Sequence, residues 1–128
     1  MLKQYSFPRQ VRLHHQREIE LIFQRGVYQR LGLMHVRYLP TEIGYSRFVI
    51  SIKKQMGTAP LRNLARRQIK EAIRLNRPTL LGSFDVCFFI TRKPQYPVSF
   101  SYFEARVTEV FRLLNQEFNQ SQASTPTS

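Results

Sequence analysis

The stretch Lys53–Arg77, KKQMGTAPLRNLARRQIKEAIRLNR, decides the architecture. It reads as one basic helix entered through a tight loop. Gly57 supplies a turn position, Thr58 stands where an N-cap is wanted, and Pro60 falls in the first turn, where no backbone donor is needed. No proline or glycine interrupts Leu61 to Arg77, and Pro78 ends the run. At about 100° per residue, Arg62, Arg66, Arg67, Lys70, Arg74 and Arg77 share an arc of roughly 140°. Leu61, Leu64, Ala65, Ile69, Ala72 and Leu75 fall on the other side and are expected to pack on a core. Glu71 is the only acid in the run. A merely solvated helix face interleaves both signs of charge, and this one barely does. A stripe of one sign repels itself until a polyanion neutralises it.

The flanks of this helix are strands. Upstream, Tyr45 to Lys53 alternates: Phe48, Ile50 and Ile52 belong on a core, while Tyr45, Arg47, Val49, Ser51 and Lys53 form a polar, basic and aromatic surface. Downstream, Phe84 to Thr91 is apolar on both faces apart from Asp85, the pattern of a central strand. Tyr45 through the basic helix to Phe84 therefore reads as a β-α-β crossover. Residues 33–39 alternate well enough for another strand, with a third short one near Val27 to Leu31. A first helix spans His14 to Arg25, with Ile19, Ile22 and Phe23 on one face and Gly26 as its stop. A last helix spans Ser101 to Phe118, opened by a Ser101–Glu104 capping box and carrying the stripe Phe103, Val107, Val110, Phe111, Leu114 and Phe118. The fold class is α+β, a small sheet covered by helices, in a single domain over residues 1–118. The polar residues 119–128 are expected to be a disordered tail.

The chain has 128 residues, with 20 Lys and Arg against 8 Asp and Glu, for a net charge of +12. Such a surplus puts nucleic acid first among partners and an anionic membrane surface second. Arg dominates, and its planar fork suits phosphate and stacked bases. The single cysteine, Cys87, sits in an apolar strand and reads as a small core residue. With no disulfide to form and no apolar run near 18 residues, a soluble cytoplasmic protein is expected. The acids are scattered, with no D-x-D or H-x-x-x-H spacing, and adjacent His14 and His15 point about 100° apart on a helix. His35 reads as a strand surface residue. No P-loop, G-x-S-x-G or C-x-x-C occurs. The residues thus show no active site. They do suggest a groove: if the first helix lies beside the face of Tyr45, Arg47 and Lys53, then Ile19 and Phe23 add an aromatic wall for single-stranded nucleic acid. The alternative is that Phe23 is core.

The basic run resembles the R-N-R motif of the bacterial ribonuclease P protein component, which reads K-K-x-G-x-A-V-x-R-N-R-x-K-R-x-x-R-E. Lys53 and Lys54, then Gly57, Ala59, Arg62, Asn63, Arg66, Arg67 and Glu71 follow it in order, with two residues rather than one between the lysine pair and the glycine. Arg12, Leu13, Phe23 and Gly26 match the family's basic opening and its F-x-x-G helix end; Asp85, Arg92 and Lys93 resemble its D-x-x-x-x-x-x-R stretch. Leu64 replaces the second Arg of the motif, Pro60 replaces a Val, and Ile19 stands where Phe is common. The resemblance implies an α-β-β-β-α-β-α sandwich with a left-handed crossover around the basic helix. It implies a protein subunit of ribonuclease P, whose partners are a catalytic RNA and precursor tRNA, with no membrane and no small-molecule substrate. The RNA would cut the 5′ leader using Mg²⁺ held mainly by RNA, and the chain would hold no catalytic residue and no tight metal of its own. Carried over, Arg62, Asn63, Arg66, Arg67, Lys70 and Arg74 would contact the catalytic RNA. Arg12, Ile19, Phe23, Tyr45, Arg47, Lys53, Lys54, Arg92 and Lys93 would border the leader. Two rivals stay open: a structural RNA-binding protein of ribosomal type, and a self-sufficient nuclease, which the scattered acids disfavour.

Overall fold

The computed structural model describes residues 11–13, 15–94 and 99–123. Along the chain run α1 (Gln16–Arg25), β1 (Val27–Leu31), β2 (Met34–Pro40), β3 (Arg47–Ile52), α2 (Ala59–Asn76), β4 (Phe84–Ile90) and α3 (Phe100–Ala123). The strands form one sheet in the order β1-β2-β4-β3. β1 and β2 pair antiparallel, as do β2 and β4, while β3 pairs parallel to β4, so α2 is the crossover helix between them. The apolar run of Phe84 to Ile90 is central, as its lack of alternation demands.

Both faces of β4 are covered, but differently. Phe84, Val86, Phe88 and Ile90 meet α2 and α3 together with Met34, Val36, Phe48 and Ile52. Phe48 lies between Phe111 and Phe88, with ring centroids 5.8 and 6.5 Å away. Burying each such ring contributes about 1.5–3 kcal/mol. On the opposite face Cys87 and Phe89 lie with Leu39 and Val49 beneath Leu13, Ile19 and Ile22. Gly26 lets α1 end directly on β2, because a Cβ there would stand 2.9 Å from the Tyr38 carbonyl and 2.4 Å from that of Ile22.

Several sequence expectations are corrected. The first helix begins at Gln16, and His14 lies outside the described residues. Ser99, not Ser101, opens α3: its carbonyl and Oγ accept from the Tyr102 amide. α3 runs on through Asn119–Ala123, which were assigned to a disordered tail. Those residues contain no glycine or proline, and Phe118 anchors the preceding turn against the core. Residues 124–128 lie outside the described residues. Among the described residues no helix is long and apolar enough to cross a membrane.

Candidate nucleic-acid interface

α2 is set by its entry. Gly57 has φ of 154° and ψ of −164°, a conformation open essentially to glycine alone, which swings the chain from the turn at Lys54–Met56 into the helix. Thr58 occupies the N-cap, but it works through its backbone: its carbonyl accepts from Arg62, and its side chain makes no cap bond. The buried residues are Ala65, Ile69, Ala72 and Ile73. Leu61, Leu64 and Leu75, expected in the core, are instead 47, 41 and 41% exposed. On the 100° projection the buried arc is rotated by roughly 60° from the expected one. The reason is tertiary: α2 is wedged against both the sheet and α3, and Ile73 completes that contact.

This rotation brings the cations to the margin of the core. Arg62, Arg66, Lys70, Arg74 and Arg77 are half-buried along their stems, and Arg67 is exposed. Asn63 Oδ1 accepts a hydrogen bond from Arg66 at 3.2 Å, which aims that guanidinium. Arg74 is different. Its fork grips Glu71, with Nε 2.9 Å from Oε2 and a second bond to Oε1, so its charge is locally cancelled. This hydrogen-bonded pairing holds the Glu71 carboxyl below its usual range. Among the described residues no carboxylate pairs with Arg62, Arg66, Arg67 or Lys70.

A second surface lies on the sheet face under α1. Strand register sets Tyr28 beside Arg37, Arg37 beside Cys87, and His35 beside Phe89. The His35 ring stacks on Phe89 at 4.9 Å and 13°, and Tyr28 Oη shares a 2.6 Å hydrogen bond with His35 Nδ1. Phe23 leans on Phe89 at 5.7 Å and is 43% exposed, so it is a wall rather than core. The Arg37 guanidinium lies 4.9 Å from the Tyr28 ring and 5.4 Å from Phe23, held by aromatic faces rather than by an acid. Burial lowers the pKa of His35, and Arg30 and Arg92 lower it further. The result is a ring-lined surface with positive edges. Tyr28, Arg37 and Phe89 were missed as site residues, and His35 was read only as a strand surface. The signal was parity: Asp85, Cys87 and Phe89 share one face, as do His35 and Arg37, but the continuous apolar run of β4 hid it.

The expected leader residues divide into groups. Phe23 lines this surface, and half-buried Ile19 packs beneath it. The parallel register of β3 and β4 brings Lys53 and Lys54 to the sheet end where Arg92 and Lys93 leave β4, and all four are exposed. Arg12 runs beside β3, bridged to Phe48. Arg47 is already occupied. Its Nε and Nη2 donate to the two Asp85 oxygens at 2.9 and 2.7 Å, and its Nη1 meets Glu18 at 2.6 Å. Its fork therefore joins α1, β3 and β4 rather than facing a groove. Tyr45 stands at the other end of β3, beside Arg77 and Ser83, and does not join Phe23.

Other chemistry is sparse. Burial pushes the Cys87 thiol up to about 12, so it carries no thiolate at neutral pH. Glu18 and Asp85 are tied to Arg47, Glu71 to Arg74, and Glu109 lies near Arg106. Among the described residues no three of His, Cys, Asp and Glu gather as metal ligands.

A family model described as Ribonuclease P matches residues 7–121. A ribonuclease P protein component from Thermotoga sp. strain RQ2 is 31% identical over 88 residues, covering 69% of this chain and 75% of the relative. One from Dictyoglomus turgidum is 36% identical over 86 residues, covering 67 and 72%. In fold, the chain is similar to the RNase P protein of Staphylococcus aureus (TM-score 0.70, 21% identity, 80% of this chain and 94% of that one). It is likewise similar to that of Thermotoga maritima (TM-score 0.67, 24% identity, 82 and 96%). At these identities the structural likeness speaks for the fold alone.

Proposed function

The chain belongs to the ribonuclease P protein family, and on that premise we propose that it binds a catalytic RNA through α2 and the single-stranded 5′ leader of precursor tRNA through the sheet face. It is a subunit of a ribonuclease. In this reading the RNA performs the cut, any Mg²⁺ is held mainly by RNA, and the complex works in the cytoplasm. The observation that carries the reading is the row Arg62, Arg66, Arg67 and Lys70, four cations on one side of a helix without a carboxylate partner among the described residues. Folded RNA supplies the missing counter-charge, and release of its counterions supplies affinity. The surface of Phe23, Tyr28, His35, Arg37 and Phe89 has the composition of a single-strand site, with rings for bases and cations for phosphates. Each stacked base contributes about 1–3 kcal/mol.

Reconstitution tests this. Purified protein alone should leave precursor tRNA intact, yet restore its 5′ processing by the cognate RNA at low Mg²⁺. A leader oligonucleotide should crosslink to Phe23 or Phe89. Cleavage by RNA-free protein, or failure to bind the RNA in moderate salt, would overturn the proposal.

A further inference from the structure

At the sheet end where β3 and β4 begin, the loops entering the two strands flank an open hollow of about 210 Å³. Tyr45, Ser46, Arg77, Leu81 and Ser83 line it. That volume is below the range of about 300–1,000 Å³ typical of drug-sized ligand pockets, which suits a single ring-sized group. Its walls are fixed. Ser46 Oγ donates to the Gly82 carbonyl at 3.2 Å and accepts from the Phe84 amide at 2.9 Å, tying one loop to the other. Its rim offers exposed apolar surface, with Tyr45 41% and Leu81 57% exposed.

Arg77 connects this hollow to α2. It caps the helix with helical backbone angles, φ −51° and ψ −43°, so the projection continues through it. On that projection Arg77 falls within about 40° of Arg66 and Lys70. The cationic side of the helix thus ends at the hollow. Burial lowers the pKa of Arg77, and a phosphate meeting a partly dehydrated guanidinium is held more strongly than one meeting it in open water. The hollow is also separate from the ring-lined surface under α1. Ser83, just before β4, and Phe89 are six residues apart, about 20 Å at the rise of a strand, and Tyr45 has no ring contact with Phe23, Tyr28 or Phe89.

We propose that this hollow is a nucleotide site for the folded RNA partner, in which an unpaired base stacks on Tyr45 while its phosphate meets Arg77 at the end of the α2 cation row. The inference rests on the RNA-binding reading above and adds a second aromatic contact to it, distinct from the leader surface. It also moves Tyr45 from the leader to the RNA subunit.

The test compares binding of two probes, the cognate RNA subunit and a single-stranded leader oligonucleotide, by wild type, Tyr45→Ala, Tyr45→Phe and Arg77→Gln. Tyr45→Ala should weaken RNA-subunit binding by about 5-fold or more, the loss of one stacked base. Tyr45→Phe, which keeps the ring, should bind as wild type does. Arg77→Gln should reduce the salt dependence of RNA-subunit binding by about one unit. All should bind the leader oligonucleotide unchanged. Undiminished RNA-subunit affinity in Tyr45→Ala overturns the inference, as does a selective loss of leader binding or an unchanged salt slope in Arg77→Gln. Wild-type protein that fails to bind the RNA subunit sinks the broader reading instead, so the two failures are distinguishable.

Discussion

Replacing Arg47 by Ala should unfold this protein at far lower denaturant than its position on an edge strand suggests. Its side chain is 16% exposed and that of Asp85 7%. Three charge-assisted contacts converge on it, at 2.6, 2.7 and 2.9 Å, two of them from the bidentate grip on Asp85. An exposed ion pair contributes about 0–1 kcal/mol, but removing one partner of a buried pair leaves an uncompensated charge and costs about 3–5 kcal/mol. Asp85 sits on β4 at 5% exposure, so the larger range applies. For a domain of this size that corresponds to a fall in Tm of roughly 10–20 °C. Urea titration at neutral pH, followed by circular dichroism, measures it. The double variant Arg47→Met with Asp85→Leu should regain much of the loss, since no buried carboxylate is left unpaired on β4. Under conditions where it is folded, Arg47→Ala should bind a leader oligonucleotide as wild type does. A loss below about 1 kcal/mol, or a double variant less stable than the single, would refute the assignment of Arg47 as a structural pin.

Three further outcomes are expected. Arg66→Ala combined with Arg67→Ala should lower the salt dependence of RNA binding by about two units, and an unchanged slope would show that neither side chain meets phosphate. Leu64→Arg, which restores the family motif at an exposed position, should tighten RNA binding and steepen the salt slope by about one unit. Its effect on stability should stay within about 0.5 kcal/mol, and weakened binding would place Leu64 in a contact of its own. His35 should titrate below its usual 6.5 in an NMR pH series. Because the fold favours the neutral ring, its contribution to stability is fully present above 6.5 and is lost as pH falls through the depressed folded value. A measured value at or above 6.5 would show that the ring is not partly dehydrated between Phe89 and the nearby cations.

Element order, the central place of Phe84–Ile90 and the cation content of the basic helix were legible in sequence, because they depend on local periodicity, on proline and glycine positions, and on the number of charges. The buried stripe of α3 was legible too, as one strong amphipathic pattern. The orientation of α2 was not. It touches the sheet and α3 at once, and only their joint geometry selects Ile73 over Leu64 and Leu75 for burial. The ring-lined surface escaped for a related reason: Tyr28, His35, Arg37 and Phe89 come from three strands, and their meeting depends on register, which the alternation of one strand does not reveal. Arg47 and Tyr45 stand two residues apart, yet one is bound to two carboxylates and the other, in the loop before β3, stands beside Arg77. Sequence determined which charges and rings this protein carries; tertiary structure decided which are consumed in holding it together and which remain to meet RNA, because an arginine's role depends on whether an acid lies within reach.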